Sequence, residues 1–158
     1  MEFRKAKKED LSQVVEIMEQ IQRLHEEARP EIFKSKTKEQ IEQEALELIE
    51  DEKEYVIIAV NDGEVCGILM CNLKDVKNHR NLKDSKSLWI DELGVNEKYR
   101  KLGIGKQLMK HAEELAKELK CKTITLNCWS FNENALRFYE KQGMVNQRII
   151  MEKDMGED

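Results

Sequence analysis

No apolar run in this 158-residue chain approaches the ~20 residues that a membrane-spanning helix needs, so no membrane partner is expected. Met1-Glu2-Phe3-Arg4-Lys5 does not lead into the apolar stretch of a signal peptide. The four cysteines (Cys66, Cys71, Cys121, Cys128) lie in strand-like segments and lack Cys-x-x-Cys spacing. They read as buried, reduced thiols, with no metal expected. Together these absences point to the cytoplasm. A basic surplus is also missing: 27 Lys and Arg stand against 32 Asp and Glu, a net charge of −5. A general nucleic-acid binder needs a basic face, so no nucleic acid is expected. The negative balance suits a cationic acceptor through long-range attraction, although charge of this size also serves solubility alone. Repeats and linkers are absent. With 40% apolar and 37% charged residues, the chain reads as one folded domain over 1–158.

The patterning predicts the order β-α-α-β-β-β-α-β-α-β. Residues 2–6 form a short strand. From Asp10, the spacing of Leu11, Val14, Met18, Ile21 and Leu24 predicts an amphipathic helix that stops before Pro30. A second helix covers about 37–51, with Ile41, Ala45, Leu48 and Ile49 buried. Tyr55–Val60, the turn Asn61-Asp62-Gly63-Glu64, and Val65–Leu73 read as a hairpin. Residues 75–84 are polar and aperiodic, hence a loop. A strand over 88–95, a helix over 104–119, a strand over 122–128 and a helix over 134–142 follow, and 145–153 supply a last strand. The expected class is α/β, with helices on both faces of one mixed sheet.

The motif that carries most information is Arg100-Lys101-Leu102-Gly103-Ile104-Gly105, between a strand and a helix. A strand passing through two glycines into a helix aims several free N–H groups at one point, and the helix dipole adds about half a positive charge there. Such a turn cradles phosphate or diphosphate. The dinucleotide fingerprint fails, because Leu108 stands where its third glycine belongs. The P-loop fails as well, because Gln107 follows Gly105-Lys106 where Ser or Thr should hold magnesium. An Arg-x-x-Gly-x-Gly cradle remains, ringed by Lys98, Arg100, Lys101 and Lys106. An ordinary strand-to-helix turn with solvated lysines is the plainer alternative. Further on, Asn132-Glu133-Asn134-Ala135-Leu136-Arg137-Phe138-Tyr139-Glu140-Lys141-Gln142-Gly143 predicts a helix capped by Asn132 or Asn134 and closed by Gly143 as its C′ residue. Asn132 and Tyr139, seven apart, share one of its faces.

With both motifs in this order, the chain resembles the GCN5-related N-acetyltransferase (GNAT) superfamily. The resemblance is specific over 88–144 and looser through Phe3-Arg4-Lys5-Ala6 and Leu24–Phe33. It implies a single-domain fold with a mixed, mostly antiparallel sheet flanked by helices on both faces. It also implies acetyl-CoA as co-substrate and acetyl transfer to a primary amine, either a small cationic amine or a peptide amine. A catalytically silent CoA-binding sensor or regulatory module is the alternative. Under the resemblance, Arg100, Lys101, Leu102, Gly103, Ile104, Gly105 and Lys106 hold the diphosphate, and Asn132, Ala135 and Tyr139 line the cofactor. The strand edge at Leu93, Gly94 and Val95 pairs with the pantetheine amides. Relatives commonly dimerise, so a homodimer is among the expectations.

The implied chemistry needs an unprotonated amine, a polarised carbonyl and a proton for the departing thiolate. Tyr139 is the candidate acid: phenol and thiol pKa values near ~10 and ~8.5 make the transfer feasible. A tyrosine packed on its helix, its hydroxyl tied to backbone, would look the same. Asp91 and Glu92 are consecutive acids in an apolar strand, where buried charge is costly unless paired or used. Strand alternation sends them to opposite faces unless a bulge splays the strand. Asp91 is the favoured base because alternation puts it on the side of Leu93 and Val95; Glu92, water, or a purely structural ion pair remain alternatives. His25, Phe33 and Trp129 are candidates for the acceptor pocket, or simple packing. Asn127 stands where some relatives that acetylate protein N-termini carry an acid, which weighs against that acceptor.

Overall fold

A computed structural model describes residues 1–156; the last two residues of the expected 1–158 domain lie outside the described residues. The chain divides into two compact units, residues 1–127 and residues 128–158.

The first unit is a five-stranded sheet in the order β1-β2-β3-β4-β5. Its strands are β1 (Glu2–Lys5), β2 (Glu54–Asn61), β3 (Glu64–Val76), β4 (Ser85–Val95) and β5 (Thr123–Leu126). The first four are antiparallel and β5 runs parallel to β4, so the sheet is mixed as expected. The β2–β3 turn is tight because Asp62 and Gly63 both take positive φ (50° and 80°), the primed geometry that matches strand twist. The β3–β4 ladder runs out to Val76↔Ser85, so the expected loop at 75–84 shrinks to 77–84. Cross-strand pairing there outweighs a polar composition.

Helices α1 (Leu11–Ala28) and α2 (Lys38–Glu50) cover one face of the sheet. Val14, Val15 and Ile17 of α1 and Ile41 and Ala45 of α2 form a core with Val56, Ile58, Ile68 and Met70. Thr37 starts α2 with a reciprocal cap: its Oγ1 accepts from the Gln40 amide at 3.2 Å, and the Gln40 side chain accepts from the Thr37 amide at 2.9 Å. Helix α3 (Ile104–Glu118) covers the other face. A Cβ on Gly67 would come within 3.0 Å of Ile104 and Leu108, so only glycine lets α3 lie this close to β3.

Asp10, 5% exposed, ties β1 to the start of α1. Two Arg4 guanidinium nitrogens donate to it at 2.8 and 2.9 Å, and the Lys7 amide at 2.7 Å. The Arg4 hydrogen bonds, then the Lys7 amide, hold its carboxyl below the ordinary range. A lowered folded pKa contributes stability that is present above the unfolded value and lost as pH falls through the folded one. Asp10→Asn should cost about 1–3 kcal/mol at pH 7, and the gap from wild type should close only once pH falls below the lowered folded value; urea midpoints at pH 7 and at about pH 2 measure both.

The second unit holds α4 (Glu133–Lys141). Asn132 caps it, its Oδ1 accepting from the Ala135 amide at 3.3 Å. Gly143, at φ 89°, closes it: the Gly143 amide donates to the Glu140 carbonyl and the Met144 amide to the Tyr139 carbonyl. The strand expected at 145–153 does not form in the single chain; these residues make no ladder. Phe138 is only partly buried, and no described residue of this unit is fully buried.

Candidate functional site

The alternation of β4 breaks at one residue. Met70 pairs with Glu92 and Cys71 with Ile90, so Asp91 is an extra residue bulged out of the ladder. The consequence corrects the strand reading. Leu93 and Val95 pair with Leu69 and Gly67, on the face that Ile104 and Leu108 cover. Glu92 and Gly94 pair with Met70 and Ile68, on the α1–α2 face. Asp91 joins that second face, because its Oδ2 accepts from Asn72 Nδ2 at 2.6 Å and its Oδ1 from Trp89 Nε1 at 2.9 Å. The bulge therefore turns both acids to one side, away from Leu93 and Val95.

Asn72 Nδ2 also reaches Glu54 at 3.2 Å, so one amide bridges two carboxylates. Burial raises the Glu54 carboxyl above its ordinary range, helped by the nearby Asp91 charge. Glu92 moves further: burial first, then repulsion from Asp91, push it up to about 7, against a smaller opposing pull from Lys36. Lys36 sits between α1 and α2, its ammonium 2.8 Å from Glu44 and its amide bonded to Glu26 at 3.0 Å. Lys36 and Glu44 also line a recess of about 330 Å³. The sequence reading missed Glu54, Asn72, Trp89, Lys36 and Glu44, because only ladder register and helix docking bring them to these acids.

β5 pairs with β4 only from Ser87↔Thr123 to Ile90↔Leu126. Beyond Ile90, among the described residues, no strand pairs with that edge of β4, which leaves the backbone of residues 91–95 open on one side. Gly94 has a packing role as well: a Cβ there would lie 2.6 Å from Ile21 Cδ1, so α1 occupies the space above it. Asn96, buried at 3% exposure, fixes the end of β4. Its amide donates to the Cys66 carbonyl at 2.8 Å, and its Oδ1 accepts from Lys98 and from Gln20 of α1.

A short 3-10 turn (Glu97–Tyr99) then delivers the chain to the glycine loop. Lys101 and Gly103 both take positive φ (65° and 78°), and Gly103 is the N-cap of α3. No side chain caps this helix, and its first internal bond runs from Gln107 N–H to the Gly103 carbonyl at 3.2 Å. The amides of Ile104, Gly105 and Lys106 therefore have no intrahelical acceptor. Arg100, Lys101 and Lys106 are exposed around them, with Arg100 Nε 3.5 Å from the Val95 carbonyl. Ile104 is the exception in the hexapeptide, buried as the anchor of α3. Unspent amides, a helix dipole and three exposed cations suit a diphosphate. A Cβ at Gly103 would touch nothing within 4 Å, so the cost of a larger residue there is conformational. Gly103→Val should strain the cradle by roughly 1–2 kcal/mol and weaken a diphosphate ligand held there about tenfold, read by calorimetric titration.

The acceptor candidates divide between the units. His25 and Phe33 come together in the first, ring centroids 5.0 Å apart, with His25 Nδ1 2.8 Å from the Ile21 carbonyl. Trp129 lies in the second, stacked 6.0 Å from Phe131. Tyr139 also lies in the second unit, its ring edge-on to Phe138 at 5.3 Å. Asn132 and Ala135 are joined by the α4 cap itself. The cysteines are unbridged; Cys66 and Cys71 are buried in β3, while Cys121 and Cys128 are partly exposed and flank β5. Burial pushes the Cys71 thiol up to about 12, which leaves it unreactive. No group of His, Cys, Asp and Glu among the described residues could hold a metal ion. Among the described residues, no helix is long and apolar enough to cross a membrane.

A family model described as the acetyltransferase (GNAT) family matches residues 18–144. The chain belongs to this family. Among curated relatives, an uncharacterized N-acetyltransferase of Lactobacillus delbrueckii subsp. lactis is 35% identical over 84 residues, 53% of this chain and 47% of that protein. The spermine/spermidine N(1)-acetyltransferase of Bacillus subtilis is 32% identical over 88 residues, 52% of this chain and 53% of that protein. The chain thus spans about half the length of these relatives. A solved tetramutant protein from Bacillus halodurans has the same fold at a TM-score of 0.93, with 26% identity over 98% of this chain and 100% of that one. In this GNAT chain the match takes in the open β4 edge, the glycine loop and α4.

Proposed function

We propose that the protein is an acetyl-CoA-dependent N-acetyltransferase acting on a small cationic or peptidic primary amine. The observation that supports it most is the bulge at Asp91. It sets Glu92, shifted to about 7, beside two further carboxylates on a strand whose edge is open. Acetyl-CoA, when bound, supplies the acyl group as a thioester. Residues 100–106 would hold its diphosphate through main-chain amides and cations, and the backbone of Leu93, Gly94 and Val95 is the edge available to its amides.

Glu92 is the better placed base, and this reading prefers it to Asp91. Both Asp91 oxygens already accept hydrogen bonds, while Glu92 stands near neutrality, where a carboxylate removes an ammonium proton most effectively. Asp91 and Glu54 then draw the cation in, while burial and the Asp91 and Glu44 charges keep the Glu92 carboxyl weakly acidic. In this reading Tyr139 Oη delivers a proton to the leaving sulfur. A spermine/spermidine acetyltransferase among the relatives accords with a cationic acceptor. A thiol-release assay with acetyl-CoA across polyamines, aminoglycosides, amino acids and short peptides tests the proposal. Turnover on at least one cationic amine is expected. CoA binding without turnover on any amine would identify a sensor instead.

A further inference from the structure

Residues 96–103 join β4 to α3, and they hold the glycine loop against a backbone cost, because Lys101 is left-handed at φ 65° without being glycine. Such conformations persist only where the surroundings over-determine them. Asn96, at the head of this connector, is committed through both its main chain and its side chain. Its amide donates to the Cys66 carbonyl of β3 at 2.8 Å, its carbonyl accepts from the Tyr99 amide at 2.8 Å, and its Oδ1 accepts from the Lys98 amide at 3.1 Å. These bonds shape the 3-10 turn and tie it to the sheet, but they do not refer it to any helix.

α1 supplies that reference. Gln20 Nε2 donates to Asn96 Oδ1 at 3.3 Å, and Gln20 Oε1 accepts from the Glu97 amide at 3.0 Å. One side-chain amide thus grips two consecutive connector residues, as donor to one and acceptor from the other. A helical turn earlier, Glu16 Oε1 accepts from Asn96 Nδ2 at 3.4 Å. Beside this polar grip, Ile17 and Ile21 fill the space above Gly94. Apolar contact tolerates sliding, whereas a paired donor and acceptor fix direction as well as distance. Gln13, on the same stripe of α1, makes a useful contrast. It accepts from the Val65 amide at 2.8 Å and donates to the Gly63 carbonyl at 3.4 Å, so it ties the helix to the β2–β3 turn and not to the connector.

We propose that Gln20 and Asn96 are positioning residues for the cofactor: together they register the connector against α1 and so set where the amides of Ile104, Gly105 and Lys106 point. Neither residue is assigned a contact with the ligand. The assignment rests on the CoA reading of residues 100–106, and it lies wholly within the first unit.

Gln20→Met keeps side-chain length and helix propensity but loses both bonds. The dissociation constant for CoA, read by calorimetry, should rise about tenfold, and KM for acetyl-CoA with it, at unchanged kcat. Asn96→Ser can still cap the turn but is too short to reach Gln20. It should show a similar loss, and the double variant should lose far less than the product of the two. Gln13→Met should lower the denaturant midpoint and leave CoA affinity alone. In the ligand-free protein, trypsin cleavage after the exposed Arg100 and Lys101 should quicken in Gln20→Met and not in Gln13→Met. Cleavage reads the loop without a cofactor: a wild type that failed to bind CoA would overturn the functional reading, and cleavage would still decide the grip of α1. Unchanged cleavage in Gln20→Met, unchanged CoA affinity in that variant, equal losses in Gln13→Met, or a multiplicative double variant would each overturn the positioning role.

Discussion

Glu92→Gln is expected to lower kcat/KM by about 10²–10⁴-fold, the usual worth of a positioned proton acceptor, while stabilising the fold at alkaline pH. The two effects share one cause. Burial and the Asp91 charge hold the Glu92 carboxyl near 7, whereas in the unfolded chain it titrates near 4.5. Between those values the native state binds the extra proton, so this group's stability contribution is complete below about 4.5 and lost as pH rises through about 7. Gln carries no charge to bury, and above pH 7 the variant should be more stable by roughly 1–3 kcal/mol. Activity is expected to run the opposite way: the wild-type rate should rise with pH through about 7, as the carboxylate forms, and the variant should lack that limb. Denaturant midpoints at pH 5 and pH 8, with pH–rate profiles of both proteins, decide the matter. An unaltered limb in the variant would assign the base elsewhere. Asp91→Asn supplies an internal check: removing the neighbouring charge should move the limb to lower pH without abolishing it.

Tyr139→Phe is the second large effect, a fall in kcat of about 10²-fold at unchanged CoA affinity. Phe keeps the ring that meets Phe138 edge-on, and the helix closure uses the Tyr139 carbonyl rather than its side chain. Only the hydroxyl is lost, so packing of α4 should survive and a change in kcat reports proton delivery. Dissociation constants from calorimetry and turnover from thiol release separate the two quantities. A fall in CoA affinity with kcat preserved would make Tyr139 a cofactor contact instead of an acid.

What could be read from the chain and what could not follows from the range of the interactions involved. Thr37 with Gln40, Asn132 with Ala135, and Gly143 are local devices, each complete within a few residues, and each bounds its helix where the pattern predicts. The glycine cradle is local too: positive φ at Gly103 and an uncapped helix start need nothing distant. Asp91 and Glu92 were visible as a pair, but the side each faces depends on a one-residue slip against Met70 and Cys71 in another strand. The segment 145–153 fails for a related reason. A strand needs a partner edge, and no pattern within the segment states where that partner lies.

By itself, then, the amino-acid order determined the succession of elements as far as α4, the glycine turn into α3 and the family, because propensity, capping and glycine geometry act over a few residues. Tertiary structure alone decided that Glu92 is the carboxyl held near neutrality, since that requires burial and two neighbouring charges. It also decided that Gly67 and Gly94 are spacers for α3 and α1, and that the last strand-like segment is left without a ladder. Each of these depends on which distant backbone comes to lie alongside.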